Sequence, residues 1–237
     1  AAGDYKGADD YFKEHISSKG STRKSPLSYQ LAGFLKLGYE NTAELKHSHR
    51  SLDLRTGITT NTHTLTDGST ITQETYASAV DDVIAVSISA DKPLDLRAWL
   101  KGSTTEANDL VLNGQGTGDL GTKFQVRARI TGSDQPTRGD GNSLLVQQAK
   151  NITLYLTVAT NFNMADSEQP LADGWQKKTT TVLDAIIGKA AFELQQRATA
   201  DHRSFFDRVQ LDIGTTAPEV MKLPTRKRLQ RLKEGKH

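Results

Sequence analysis

Residues 114–121 read GQGTGDLG, and Gly116, Gly118 and Gly121 within them spell G-x-G-x-x-G. A loop of that pattern cradles phosphate only where it follows a buried strand and opens a helix, so that the helix N-terminus faces the pyrophosphate. An acidic residue then follows about 20 residues on, at the end of a second strand. The flanks do not provide that setting. Upstream, DLVLNGQ alternates Leu110 and Leu112 with polar residues, and downstream TKFQVRARI alternates Phe124, Val126, Ala128 and Ile130. A period of two marks half-buried strands on both sides, and no helical period opens after Gly121. The glycines are therefore expected to join two antiparallel strands, where they supply positive φ.

The same alternation, with many β-branched residues, runs outward through 31–39, 47–54, 57–65, 69–78, 83–90, 94–102, 108–114, 123–130, 142–149 and 151–160. Asp67-Gly68 is a hairpin signal, Asp91-Lys92-Pro93 reads as a break, and GDGN at 139–142 as a further turn. Short strands at this spacing predict a sandwich or barrel. Their number favours a large double sheet: a mainly β chain, an antiparallel super-β-sandwich followed by an α-helical linker. Three regions result. Residues 1–27 are a polar loop with a short helix over Ala8–Ile16 and a loop SSKGSTRKSP at 17–26. Residues 28–174 are the sandwich. Residues 175–237 are helical: Leu183, Ile186, Ile187, Ala190 and Leu194 share one helical face, Gly188 caps a first helix, and a second runs from Ala190 to Val209. A third starts at Pro224-Thr225, with Gly235 past its end.

Composition narrows the function. The chain has 237 residues, 30 Lys and Arg against 28 Asp and Glu, and no cysteine. A net charge of +2 gives no bulk attraction to nucleic acid or membrane. Without cysteine there is no disulfide, thiolate nucleophile or Cys-zinc site, a composition that fits a secreted or periplasmic bacterial protein. No apolar run approaches membrane-spanning length. The N-terminus AAGDYKGADDYFKEH has no charged-then-apolar signal segment and does not start with Met, so the expectation is a processed chain or one that begins in mid-protein.

The chemical candidates are few. His47 and His49 share a strand face, but a zinc site needs a third protein ligand and none is evident. Asp81-Asp82 cannot act as a glycosidase pair, because adjacent strand residues point apart; a turn explains them. Asp201, His202 and Ser204 suggest a triad, yet no nucleophile elbow surrounds the serine, and Asp201 reads as a helix-internal or capping residue. Arg138-Gly139-Asp140 is an integrin-type tripeptide in a turn, and Asn151-Ile152-Thr153 is a sequon that matters only in a eukaryotic secretory pathway. Lys222 to Lys236 holds seven Lys or Arg and one Glu. Leu229 and Leu232 make it an amphipathic helix with a solvated basic face, without the aromatics that stack bases. No catalytic residue, cofactor-binding residue or metal ligand set is assigned, and no cofactor is expected.

Several segments together resemble one family. YQLAGFLKLGYEN (29–41) followed by HRSLDLRTG (49–57), STITQETYASAVDDVIAVSISADKP (69–93) and NITLYLTVATNF (151–162) are similar to the strands of the N-terminal domain of glycoside hydrolase family 95. ATADHRSFFDRVQLDIG (198–214) and LPTRKRLQRLKEG (223–235) resemble its helical linker. That family comprises inverting α-L-fucosidases and α-L-galactosidases. The resemblance implies a β super-sandwich, a helical linker and then an (α/α)6 catalytic barrel, which would begin after His237, with the family's opening segment also missing. It implies a non-catalytic domain that buttresses this barrel, meets glycan only through the parent enzyme, is inactive alone, and works in the periplasm or outside the cell. The other reading is a stand-alone carbohydrate-binding or interaction sandwich. That needs exposed aromatic platforms, whereas Trp99 reads as core and Trp175 as a junction residue.

Overall fold

The computed structural model describes residues 3–16, 31–116, 121–132, 137–139, 142–166, 169–212 and 214–236. The expected loop at 17–26, Gly118 and Asp140 fall outside the described residues. Among the described residues the sandwich is one ten-stranded antiparallel sheet folded over on itself. Its strands are β1 (Leu35–Glu40), β2 (Leu45–Asp53), β3 (Ile58–Leu65), β4 (Thr70–Ser78), β5 (Val83–Leu100), β6 (Thr104–Glu106), β7 (Asp109–Gln115), β8 (Lys123–Gly132), β9 (Thr137–Gly139) and β10 (Ser143–Thr160). They pair in the order β2-β3-β4-β5-β10-β8-β7-β6, with β1 on β5 and β9 on β10.

Two expected breaks are absent. Segments 83–90 and 94–102 belong to one 18-residue strand, β5, and 142–149 and 151–160 to another, β10. The Asp91-Lys92-Pro93 signal marks a corner within a strand. Between Leu94 and Ser89, β5 advances five residues while β10 advances two, from Ala149 to Asn151. A second irregularity adds one residue to β10 between Val146 and Ala149. Unequal path lengths bend a strand pair, and here the bend turns β5 and β10 from one layer into the next.

The sheet's two halves close on one core. Val86, Ile88, Leu110, Val126, Ala128, Ile130, Ile152 and Leu154 come from the large layer. Leu94, Leu96, Ala98, Leu100, Leu144 and Val146 come from the smaller one. The alternate residues of the large layer face the other way and build a second core, Tyr76, Val83, Ala85 and Tyr155, with Leu183 and Ile186 of α2 (Lys177–Ile186) and Leu194 and Ala198 of α3 (Ala191–Phe206). The order is therefore small layer, large layer, helices.

The helices follow the sequence closely. Gly188 lies just past α2 at φ +81°, as a helix-ending glycine should. The first helix, α1 (Tyr5–His15), starts three residues before its expected place, with Asp4 capping it through Gly7 N–H at 2.8 Å. A short α4 (Pro218–Met221) was not foreseen, and α5 (Thr225–Lys233) begins where Pro224 predicts. None of α1, α4 or α5 buries a residue. No described helix is long and apolar enough to cross a membrane.

Candidate functional site

The polar chemistry of the molecule gathers on the helix-facing side of the large layer. Register sets it out in a row, Glu106–Asp109–Arg129–Tyr155–Ala85–Tyr76, one residue from each of six consecutive strands. Beside it, Arg127 and Gln125 of β8 point the same way, because side chains two apart share a face.

Asp109 is the centre of this group, with its side chain 5% exposed. It accepts from Arg127 Nη1 at 3.0 Å and from Arg129 Nε and Nη2 at 2.6 and 2.8 Å. Arg127 Nη2 also donates to Glu106 at 2.7 Å. Both arginines then reach the helix: Arg127 Nε donates to Thr179 Oγ1 at 3.2 Å, and Arg129 Nη1 to Asp184 at 2.7 Å. Thr179 Oγ1 in turn donates to Gln125 Oε1 at 2.6 Å. A charge this deep is tolerated only when paired and fully hydrogen-bonded. The bidentate grip of Asp109, with Asp184 adding to it, holds the Arg129 guanidinium even more firmly protonated than usual. The network fastens α2 to the sheet.

The remaining sequence candidates are structural. Asp81 accepts from Ser78 Oγ at 2.9 Å and pairs with Arg197 of α3 at 3.1 Å, while Asp82 pairs with Lys178 of α2 at 2.7 Å. The acidic pair in its expected turn thus tethers both helices, a role that sequence reasoning missed because the partners lie about a hundred residues away. Asp201, His202 and Ser204 sit in α3 and form no triad: His202 Nε2 contacts the Leu54 carbonyl at 2.8 Å, and Ser204 Oγ donates to the Asp201 carbonyl at 2.7 Å. His47 and His49 are exposed on the edge strand β2. No group of three metal-ligating side chains is found among the described residues. Arg138 and Gly139 lie in strand β9 rather than a turn. Trp99 is not core, because Ala98 and Leu100 take the inward positions. It stands on the outer side of the small layer, against Gly38. Trp175 is half-buried ahead of α2.

Of the glycine-rich stretch, Gly116 and Gly121 face each other at the adjoining ends of β7 and β8. Gly116 N–H donates to Thr122 C=O at 2.9 Å. A Cβ on Gly121 would stand 2.1 Å from the Gly116 carbonyl oxygen. The two backbones approach too closely for any side chain, which is why glycine is needed there.

Between the sheet and the α2–α3 turn lies a cleft of about 680 Å³. Its floor holds Asp109, Arg129 and Tyr155, its wall Thr131 and Thr153, and its lip Ile187 to Ala191.

Residues 1–165 match the family described as "Glycosyl hydrolase family 65, N-terminal domain". That is well over half of the chain. The chain belongs to this family of glycosyl hydrolase N-terminal domains. No curated protein matches it. Among solved structures, a chain described as "Putative kojibiose phosphorylase from human microbiome" is similar, with a TM-score of 0.50 and 18% identity over 67% of the present chain. At that identity the likeness is one of fold: the folded-over antiparallel sheet is an architecture seen in that protein. The present chain spans 23% of the length of that relative. As a glycosyl hydrolase N-terminal domain, it carries its polar residues as fasteners between sheet and helices. The expected assignment to an N-terminal domain of a glycoside hydrolase holds, but the family matched is 65, and neither match supports family 95 specifically.

Proposed function

We propose that this chain is the non-catalytic N-terminal domain of a carbohydrate-cleaving enzyme, and that it packs against a catalytic domain of the same protein. The family match over residues 1–165 carries this reading. Two surfaces suit the packing. On the inward side of the large layer, Ile84 and Val158 stay 46% and 39% exposed beyond the small layer, with Ala77 exposed beside Ile84. Past α3, Val209, Leu211, Met221, Leu229 and Leu232 are all exposed. Apolar groups gathered in this way mark interaction surfaces. The finer reading is an inverting α-L-fucosidase or α-L-galactosidase of the family 95 type, with an (α/α)6 barrel and a periplasmic or extracellular place of work. The six segments that resemble that family, in its order from Tyr29 to Gly235, support it.

The test is to assay the full-length enzyme on aryl α-L-fucoside and α-L-galactoside, and on kojibiose with and without phosphate. L-fucose or L-galactose released first as the inverted anomer, by NMR, supports the finer reading. Phosphate-dependent cleavage of kojibiose alone overturns it and leaves the coarser one standing. Absence of any action on glycosidic bonds overturns both.

A further inference from the structure

Trp99 belongs to neither core, and the packing of sheet and helices gives it no part. Ala98 and Leu100 take the inward positions of β5, so Arg97 and Trp99 face outward from the small layer. Register sets Trp99 between Lys36 of β1 and Ser143 of β10, and Arg97 between Gly38 and Leu145. The six-membered ring of Trp99 is folded down over Gly38: a Cβ there would stand 3.2 Å from Cζ3 and 3.4 Å from Cη2. Glycine thus lets the indole lie across β1 with its opposite face turned to solvent, and the residue is only half-buried.

Two further features flank this ring. Lys101 N–H donates to Phe34 C=O at 3.3 Å, which carries the β1–β5 register one pair further and puts Phe34 on the same side as Gly38. Phe34 is 58% exposed. It lies diagonal to Trp99, at the spacing of about 7–8 Å that aromatic side chains bridge. Towards the other end of β1, Arg97 grips Glu40 through Nε at 2.7 Å and Nη2 at 3.4 Å, while Nη1 donates to Ser143 Oγ at 3.2 Å. The Glu40 side chain is 43% exposed. A carboxylate has about four acceptor positions, of which Arg97 occupies two among the described residues.

An open indole face beside an exposed ion pair fits a sugar ring. The C–H groups of a pyranose pack on the negative face of the indole, and its hydroxyls take the acceptors and donors of the pair. Arg97 and Glu40 neutralise each other, which suits an uncharged ligand. We propose that the outer side of the small layer binds a neutral oligosaccharide, with one pyranose stacked on Trp99 and hydrogen-bonded by Glu40 and Arg97, and the next unit against Phe34. The choice of a saccharide rests on the function proposed above.

The experiment titrates the 237-residue chain with maltohexaose and cellohexaose by isothermal calorimetry. Fluorescence follows in Trp175→Phe, which leaves Trp99 as the one indole of the two. At least one hexasaccharide should bind and shift the Trp99 emission. Trp99→Ala should weaken binding about tenfold, the worth of an aromatic stack. Phe34→Ala and Glu40→Gln, both at outward positions, should each weaken it about threefold. No binding of either sugar at about 10 mM, or binding undiminished by all three substitutions, would overturn the site. Binding by this chain but not by the full-length enzyme would also overturn it, because the face would then be covered by the rest of the protein. The readout separates the two readings. An enzyme inactive on every glycoside that still binds the sugar loses only the proposed function, and an active one that binds neither sugar through Trp99 loses only this surface.

Discussion

Asp95 Oδ1 of β5 accepts the Gln148 backbone amide of β10 at 2.8 Å, at the point where β10 carries its extra residue. Gln148 has φ +52°, a left-handed conformation that costs a side-chain-bearing residue about 1–2 kcal/mol. A residue is kept there only when its surroundings over-determine it. Asp95 is buried, so one carboxylate holds the fold-over of the sheet in place. Asp95→Ala should cost about 2–4 kcal/mol, a lost charged hydrogen bond with a buried amide left over. Urea unfolding monitored by circular dichroism measures it; a loss under about 0.5 kcal/mol, the scale of an ordinary surface change, would show that the bulge stands without Asp95.

The Asp109 network makes a second expectation. Asp109→Ala leaves Arg127 and Arg129 without their common partner, and breaking a buried pair from one side costs about 3–5 kcal/mol. Replacing all three, with Arg127→Met and Arg129→Leu added, should recover most of that loss, because the orphaned charges go with it. Denaturation midpoints of the single and triple variants decide the matter. A triple variant no more stable than Asp109→Ala would mean that the arginines stabilise the sheet in some other way.

Ala107 sits at φ +51° in the turn between β6 and β7. Left-handed backbone costs alanine about 1–2 kcal/mol, and glycine gives back about 0.5–1 kcal/mol of that in unfolded-state entropy. Ala107→Gly should raise stability by about 0.5–1 kcal/mol, seen as a higher melting temperature. Gly121→Ala should do the opposite, because its Cβ would meet the Gly116 carbonyl. Neither variant should change binding of a nucleotide, since no helix follows Gly121 to receive the phosphates.

Tyrosine ionisation provides a pH test. Burial pushes Tyr39 up to about 12 and raises Tyr76 and Tyr155 as well. A raised folded-state value favours the neutral phenol in the fold. This stability is fully present below the unfolded value near 10 and is lost as pH rises through the folded values. Each group removes about 1.4 kcal/mol per pH unit within that window. Absorbance at alkaline pH should show three of the six tyrosines ionising late and together with unfolding. Six tyrosines titrating alike near 10 in folded protein would contradict the burial.

Alternation at period two determined the strands on both sides of GQGTGDLG and ruled out a phosphate loop there, because the direction of a strand side chain is a local property. Glycine and proline positions likewise determined the Asp67-Gly68 hairpin and the ends of α2 and α5, since φ restrictions act within a residue or two. The tertiary structure alone decided what depends on residues far apart in sequence. It ran the two halves of β5 through Asp91-Lys92-Pro93 as one bent strand, because β10 supplies partners on both sides of the corner. It put Trp99 outside by giving the inward side to Leu96, Ala98 and Leu100. It brought Asp109 onto Arg127 and Arg129, Asp81 onto Arg197, and Tyr155 beneath the start of α3. Pairing register and layer packing, which set these meetings, are properties of the folded chain that no short window of sequence carries.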